Sequence, residues 1–208
     1  LVANPNCTTI PLMLALGPLL RRFGLSAVTV STYQAVSGAG IGPLDQFLVD
    51  QQKGYAEPNR LGTQFNAAAY ASNTVPHNGG TDDSGYSSEE RKLVFESRKI
   101  LKLPELPISA QCCRVPVAVG HYENVWLTLG SPASPEQVSE ILSDQATTPY
   151  VRFFPGTTGD GLSAVASVKE RDLALVGRLR VDARGPSGRS LCLTVGGDNL
   201  RLGAATNA

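Results

Sequence analysis

A chain of 208 residues, 42% of them hydrophobic, can bury a core of its own as one large domain or two small ones, with no need of disulfides or a metal to hold it. Its 18 Lys and Arg balance 18 Asp and Glu, so charge gives no reason to expect nucleic acid or an anionic membrane as a partner, and no apolar run reaches membrane-spanning length. The four cysteines (Cys7, Cys112, Cys113, Cys192) form no CxxC pair and there are only two histidines, which favours reduced thiols in a cytosol-like compartment over a disulfide framework or a metal site.

In chain order, Asn4-Pro5-Asn6-Cys7-Thr8-Thr9 leads into an apolar run from Ile10 to Leu20 that Gly24 closes, which predicts a largely buried helix with Cys7 in or just before its first turn. Unpaired backbone N–H groups there favour an anion, so a thiolate is expected to gain and an oxyanion could be held. Position alone leaves two readings, a buried inert Cys and a nucleophile. The β-branched stretch Ala27 to Tyr33 predicts a strand running into the glycine-rich turn Ser37 to Gly42, which lacks the full GxGxxG spacing because Pro43 stands where the third glycine belongs. A short helix is predicted from about Pro43 to Lys53, then a long connection from Tyr55 to Tyr86 that holds His77 without an identifiable partner.

Ser87-Ser88-Glu89-Glu90 has the capping-box pattern and opens a helix to about Leu101, with Glu89 and Lys92 on one face as either a solvated ion pair or part of a site. Ile108 to Val119 is strand-like with Pro116 marking an edge or a bend, and Tyr122 to Leu129 predicts a second strand. Arg114 and His121 are seven apart, which would send them to opposite faces of one straight strand; only a break near Pro116 and Gly120 could bring them together. A second capping box, Ser134 to Gln137, starts a helix from Pro135 to about Ser143. Ala174 to Asp182 and Arg189 to Val195 predict a hairpin around Gly185-Pro186-Ser187-Gly188, and Asp198 caps a last helix from about Asn199. The tally predicts an α+β fold, a mixed and largely antiparallel sheet with helices packed on one side.

Taken together, Cys7 in NPNCTT, Gln34 in STYQAVSGAG, Glu89 and Lys92 in SEERK, Arg114 and His121 in CRVPVAVGH, then VGRLR and DNLRLGAA, resemble aspartate-semialdehyde dehydrogenase over most of the chain. The resemblance implies a glyceraldehyde-3-phosphate-dehydrogenase-like C-terminal domain. It also implies NADPH-dependent reduction of L-aspartyl-4-phosphate to L-aspartate 4-semialdehyde through a cysteine thioester, on the way to lysine, threonine, methionine and diaminopimelate. It casts Cys7 as nucleophile and His121 as acid/base, and gives substrate binding to Gln34, Glu89 and Arg114. Asn6 and Lys92 fall at the phosphate, and Ser37, Gly38 and Asn199 at the nicotinamide end of NADP.

The residue types suit those tasks. A guanidinium fork matches a carboxylate, Glu an ammonium, Lys a phosphate, and imidazole can serve as acid and base in turn. The resemblance further implies that residues 1–208 are a catalytic and dimerisation domain truncated at both ends, with 199–208 the start of a truncated C-terminal helix, and that a nucleotide-binding half holding most of the NADP lies outside them. A cytoplasmic homodimer or dimer of dimers is implied, without nucleic acid or membrane as partner. Three rival readings differ in their marks: N-acetylglutamyl-phosphate reductase would lack this Gln, Glu/Lys and Arg set, a cysteine hydrolase would need a local signature around Cys7 that is missing, and a non-catalytic assembly domain has no need of the reactive residues.

Overall fold

The computed structural model describes residues 3–53, 70–76, 80–156 and 161–207. Helix α1 (Thr9–Phe23) follows from its apolar run, with Pro11 in the first turn where a missing N–H costs nothing, and it stops at Gly24, whose N–H bonds the Leu20 carbonyl at 2.9 Å. Gly24 has a φ of +74°, a conformation open to glycine. Strand β1 (Leu25–Gln34) then turns Val28, Val30, Thr32 and Gln34 to one face, as a two-residue period requires. A 3-10 turn (Val36–Ala39) leads to α2 (Ile41–Lys53). This helix begins two residues earlier than the pattern predicts, because Pro43 is tolerated within a first turn.

The remaining elements are β2 (Val75–Pro76), α3 (Ser88–Leu101), β3 (Ile108–Arg114), β4 (His121–Leu129), α4 (Pro135–Ser143), β5 (Val151–Phe153), α5 (Ala164–Lys169), β6 (Ala174–Val181) and β7 (Ser190–Gly197). Both capping boxes are closed reciprocally. Glu90 N–H donates to Ser87 Oγ at 3.3 Å while Ser87 N–H donates to the Glu90 carboxylate at 2.8 Å, and Ser134 and Gln137 repeat the exchange at 3.3 and 3.0 Å. Each such cap contributes about 1 kcal/mol to its helix.

The strands form one sheet in the order β2-β3-β1-β4-β7-β6-β5. The pairs β1/β3 and β5/β6 are parallel and the other four antiparallel, so the sheet is mixed and largely antiparallel as predicted. Leu12, Leu16 and Leu19 of α1, Leu93 of α3 and Leu142 of α4 pack with Val30, Val125 and Leu193 of the sheet in one core. Full burial of each such side chain contributes roughly 1.5–3 kcal/mol.

Four details differ from the sequence reading. The strand expected to reach Val119 ends at Arg114: Pro116 has no N–H for a ladder, and Val115, Val117 and Ala118 bond instead to the backbone of Gln34, Val36 and Ser37. The predicted hairpin is present as β6 and β7, but with a bulge between Gly177 and Arg180, where Arg178 takes a φ of +53°. The last helix is one π turn (Arg201–Ala205), whose lead-in amides of Leu200 and Arg201 donate to Asp198 Oδ1 at 2.9 and 3.0 Å. Strands β2 and β5 and helix α5 were not predicted at all. His77 and Gly79 lie outside the described residues.

Candidate active site

Strand register gathers the site. Gln34 ends β1 opposite Arg114, which ends β3, while β4 runs the other way and begins with His121 beside that same end of β1. His121 is in turn opposite Gly197, the last residue of β7. Gln34, Arg114 and His121 all point to the helix-covered face and are 1%, 5% and 1% exposed. The odd spacing between Arg114 and His121 is no obstacle, because they stand on two strands that flank β1 and residues 115–120 cross over its end.

Cys7 lies in the turn before α1, with Sγ 3.2 Å from His121 Nε2. The Ala35 N–H donates to His121 Nδ1 at 3.0 Å, so the neutral ring carries its proton on Nε2 and aims it at the sulfur. For the ring to take the thiol proton it must release the Ala35 amide, a contact worth about 1 kcal/mol. Burial pushes the Cys7 thiol up to about 12; the nearby Glu89 and Glu123 carboxylates add to the rise, and Arg114 and the Cys7 amide oppose it. The expected gain from the start of the helix is therefore outweighed by desolvation. One reason is local: Asn6 Oδ1 already occupies the Thr8 N–H at 3.0 Å.

Helix α3 holds this turn in place. Asn6 Nδ2 donates to Glu89 at 2.8 Å, and Glu89, itself buried, lies 3.7 Å from the half-exposed Lys92 ammonium. The surface ion pair that sequence spacing allowed is thus anchored at its inner end. One turn further on, Glu96 accepts from the Asn6 N–H at 2.7 Å and from the Thr9 hydroxyl at 2.8 Å. Nothing in the sequence marks Glu96 apart from other helix-surface charges. Glu96→Ala leaves both donors without an acceptor, so urea unfolding is expected to show a loss of about 1–3 kcal/mol together with slower alkylation of Cys7. If both stay at wild-type values, Glu96 has no hold on Cys7.

The predicted cofactor-side residues also cluster. Asn199 is buried, donates to Ser37 Oγ at 3.0 Å and accepts from the Gly120 N–H at 2.9 Å, which ties the end of β7 to the residue before His121. A Cβ at Gly38 would sit 2.9 Å from Arg114 Nη1 and 3.4 Å from the His121 ring, so that position takes no side chain without moving the site. Gly203 is a contact the sequence reading missed: a Cβ there would lie 2.9 Å from Cys7 Cβ and 3.0 Å from the Cys7 carbonyl oxygen. Gly203→Ala is expected to cost about 1–3 kcal/mol of stability and to slow Cys7 alkylation by displacing the sulfur from His121. An unchanged alkylation rate would show that the turn gives way without moving the thiol.

Among the described residues no group of three or more His, Cys, Asp and Glu could hold a metal ion, and no helix is long and apolar enough to cross a membrane. A cleft of about 650 Å³ runs along the outer side of α3 from Asp82 to Ile108; Lys92 is the site residue it includes, while Cys7, Arg114 and His121 do not line it.

A family model described as "Semialdehyde dehydrogenase, dimerisation domain" matches residues 16–202. The chain belongs to the semialdehyde dehydrogenase family. It is 36% identical to aspartate-semialdehyde dehydrogenase of Aquifex aeolicus and 39% identical to that of Mycolicibacterium smegmatis, in both cases along all of its own length and over 60% and 61% of theirs. The crystal structure of aspartate semialdehyde dehydrogenase II from Vibrio cholerae, complexed with ASA, superposes with a TM-score of 0.85 at 36% identity, over 99% of this chain and 59% of that one. The chain thus spans about 60% of the length of the curated relatives it matches. The predicted α+β fold of this family is the fold observed.

Proposed function

We propose that this chain is the catalytic and dimerisation part of an aspartate-semialdehyde dehydrogenase that reduces L-aspartyl-4-phosphate to L-aspartate 4-semialdehyde, and that it acts as a cytoplasmic homodimer or dimer of dimers. The observation that carries the reading is the 3.2 Å approach of Cys7 Sγ to His121 Nε2 at the strand ends that also present Gln34 and Arg114. The relatives' names support the reaction, and the geometry supports this assignment of parts.

The His121 ring, releasing the Ala35 amide, takes the Cys7 proton as the sulfur attacks the acyl carbon; the carbon–oxygen bond to phosphate breaks, and phosphate leaves with that electron pair. Lys92 and Asn6 receive the leaving phosphate as cation and amide. The Arg114 guanidinium fork takes the substrate α-carboxylate, Glu89 its ammonium, and Gln34 its remaining polar edge. Ser37, Gly38 and Asn199 fit the nicotinamide edge of NADP, because Gly38 leaves the approach to Arg114 and His121 clear of a side chain. When bound, NADPH supplies a hydride to the thioester carbon. His121 Nε2–H then hydrogen-bonds the oxygen that gains charge, and as the carbon–sulfur bond breaks the aldehyde departs and the sulfur takes its proton back from the ring.

The full-length protein should reduce NADP beyond a single turnover only when L-aspartate 4-semialdehyde and phosphate are both present, and residues 1–208 by themselves should turn over negligibly. Comparable turnover of N-acetylglutamate semialdehyde would overturn the substrate assignment. Measurable turnover by residues 1–208 alone would overturn the placing of most of the NADP site outside them.

A further inference from the structure

Gly120, the residue before His121, takes a φ of +100°, in the range that favours glycine, and two elements grip it there. One is α5: a Cβ at residue 120 would sit 2.6 Å from the Ala164 carbonyl oxygen and 2.8 Å from the hydroxyl of the buried Ser167. The other is the turn that follows β7, whose Asn199 takes the Gly120 N–H on Oδ1 at 2.9 Å. Residues 115, 117 and 118 are held by the backbone of Gln34, Val36 and Ser37, and Asn199 takes over where the chain turns into β4.

The same amide acts on the segment at the ring's other nitrogen. Its Nδ2 donates to Ser37 Oγ at 3.0 Å, and Ser37 stands between Ala35, whose N–H holds His121 Nδ1, and Gly38, where a Cβ would come within 3.4 Å of the ring. Asn199 is fixed by its neighbour: Asp198 is fully buried, accepts the Leu200 and Arg201 N–H groups on Oδ1, and takes the Gly203 N–H on its carbonyl at 2.9 Å. Gly203 in turn backs on to Cys7. One turn of chain thus touches both members of the sulfur–imidazole pair, Cys7 through Gly203 and His121 through Asn199.

We propose that Asn199 is a positioning residue that sets the approach of His121 to Cys7, through Gly120 and Ser37, apart from any contact it makes with the nicotinamide. A planar amide suits the task because it carries an acceptor and a donor in fixed relation. Without it the buried Gly120 N–H has no acceptor, and the chain must shift to find one. The ring moves with Gly120, and Nε2–H no longer supports negative charge on the sulfur 3.2 Å away. The consequence for turnover rests on the roles given to Cys7 and His121 above, whereas the positioning itself does not.

The test uses the full-length protein without NADP and iodoacetamide as probe, with alkylation of the Cys7 and Cys113 peptides followed by mass spectrometry across pH. In Asn199→Ala, Cys7 is expected to react about tenfold more slowly than in wild type, the worth of one hydrogen bond, while Cys113, half-buried on the other face of β3, keeps its rate. An unchanged Cys7 rate, the result for an amide that serves the nicotinamide alone, overturns the proposal. An equal change at both cysteines overturns it as well, since that marks general loosening. In turnover, kcat is expected to fall by a larger factor than KM for NADP rises, and the reverse split contradicts the positioning role. A measurement on wild type decides the matter even if Asn199→Ala does not fold: hydrogen exchange of the Gly120 amide in protein carrying 15N-glycine. Gly120 is expected to be as protected as Gly196 within the sheet, and exchange as fast as at the exposed Gly188 overturns the proposal. Turnover of Cys7→Ser, read separately, tells failure of this proposal from failure of the nucleophile assignment.

Discussion

Cys7→Ser in the full-length protein is expected to lower turnover of L-aspartate 4-semialdehyde by about a thousandfold or more, because removing a covalent nucleophile removes the pathway it opens. The fold should survive. The Cys7 side chain makes one short contact, to His121, and its other polar contact, to Asn6 Oδ1, is a long 3.8 Å, so serine deprives no buried partner of an essential bond. A hydroxyl in the same place is far harder to ionise than a thiol, and the thiol is already pushed up by burial and by Glu89. Circular dichroism and a stopped assay for NADPH separate the two effects. Wild-type turnover from a folded Cys7→Ser protein would remove Cys7 from the chemistry.

Arg114→Lys is expected to reduce kcat/KM by about 10- to 100-fold, the worth of a charge-assisted hydrogen bond at 1.5–3 kcal/mol. Two effects combine. Arg114 Nη1 donates to the Ala35 carbonyl at 2.7 Å and reaches Gln34 Oε1 at 3.5 Å, which fixes the orientation of the fork. A lysine ammonium cannot hold the Ala35 carbonyl and grip a carboxylate in two places. Ala35 also donates its N–H to His121 Nδ1, so a loosened residue 35 disturbs the imidazole as well. Both KM and kcat should suffer. The specificity readout is a pair of substrates with and without the α-carboxylate; equal kcat/KM for the two in wild type would take Arg114 out of substrate recognition.

Much of the architecture was written in local chemistry. The two capping boxes name the first residues of α3 and α4 because the same two side chains that mark them in sequence make the reciprocal bonds in the fold. β-Branched residues marked β1, strand-like runs marked β3, β4 and the β6/β7 pair, and Gly24, Gly185 and Gly188 marked where elements stop. Strand β5 is three residues long and α5 six, too short for either period to register, so neither could be read.

The site residues were legible through their combination, and their arrangement was not. Spacing argued against Arg114 and His121 sharing a face; they share it because β1 lies between their strands, a pairing no local pattern encodes. Glu96 reads as an exposed charge on a polar helix until α1 is laid against it. Glu123 reads as one more residue of an ordinary strand until both neighbouring strands are known to close over it. Burial, with Glu89 adding to it, raises the Cys7 thiol, the opposite of what the helix start alone favours.

The central claim, that Cys7 carries the acyl group, is tested most directly by quenching the full-length protein during reaction with L-aspartate 4-semialdehyde and NADP in the absence of phosphate, then mapping acyl adducts by mass spectrometry. The predicted result is an aspartyl group joined through sulfur at Cys7 and absent from Cys112, Cys113 and Cys192. An adduct at any other cysteine, or sustained turnover with Cys7 unmodified throughout, would contradict it.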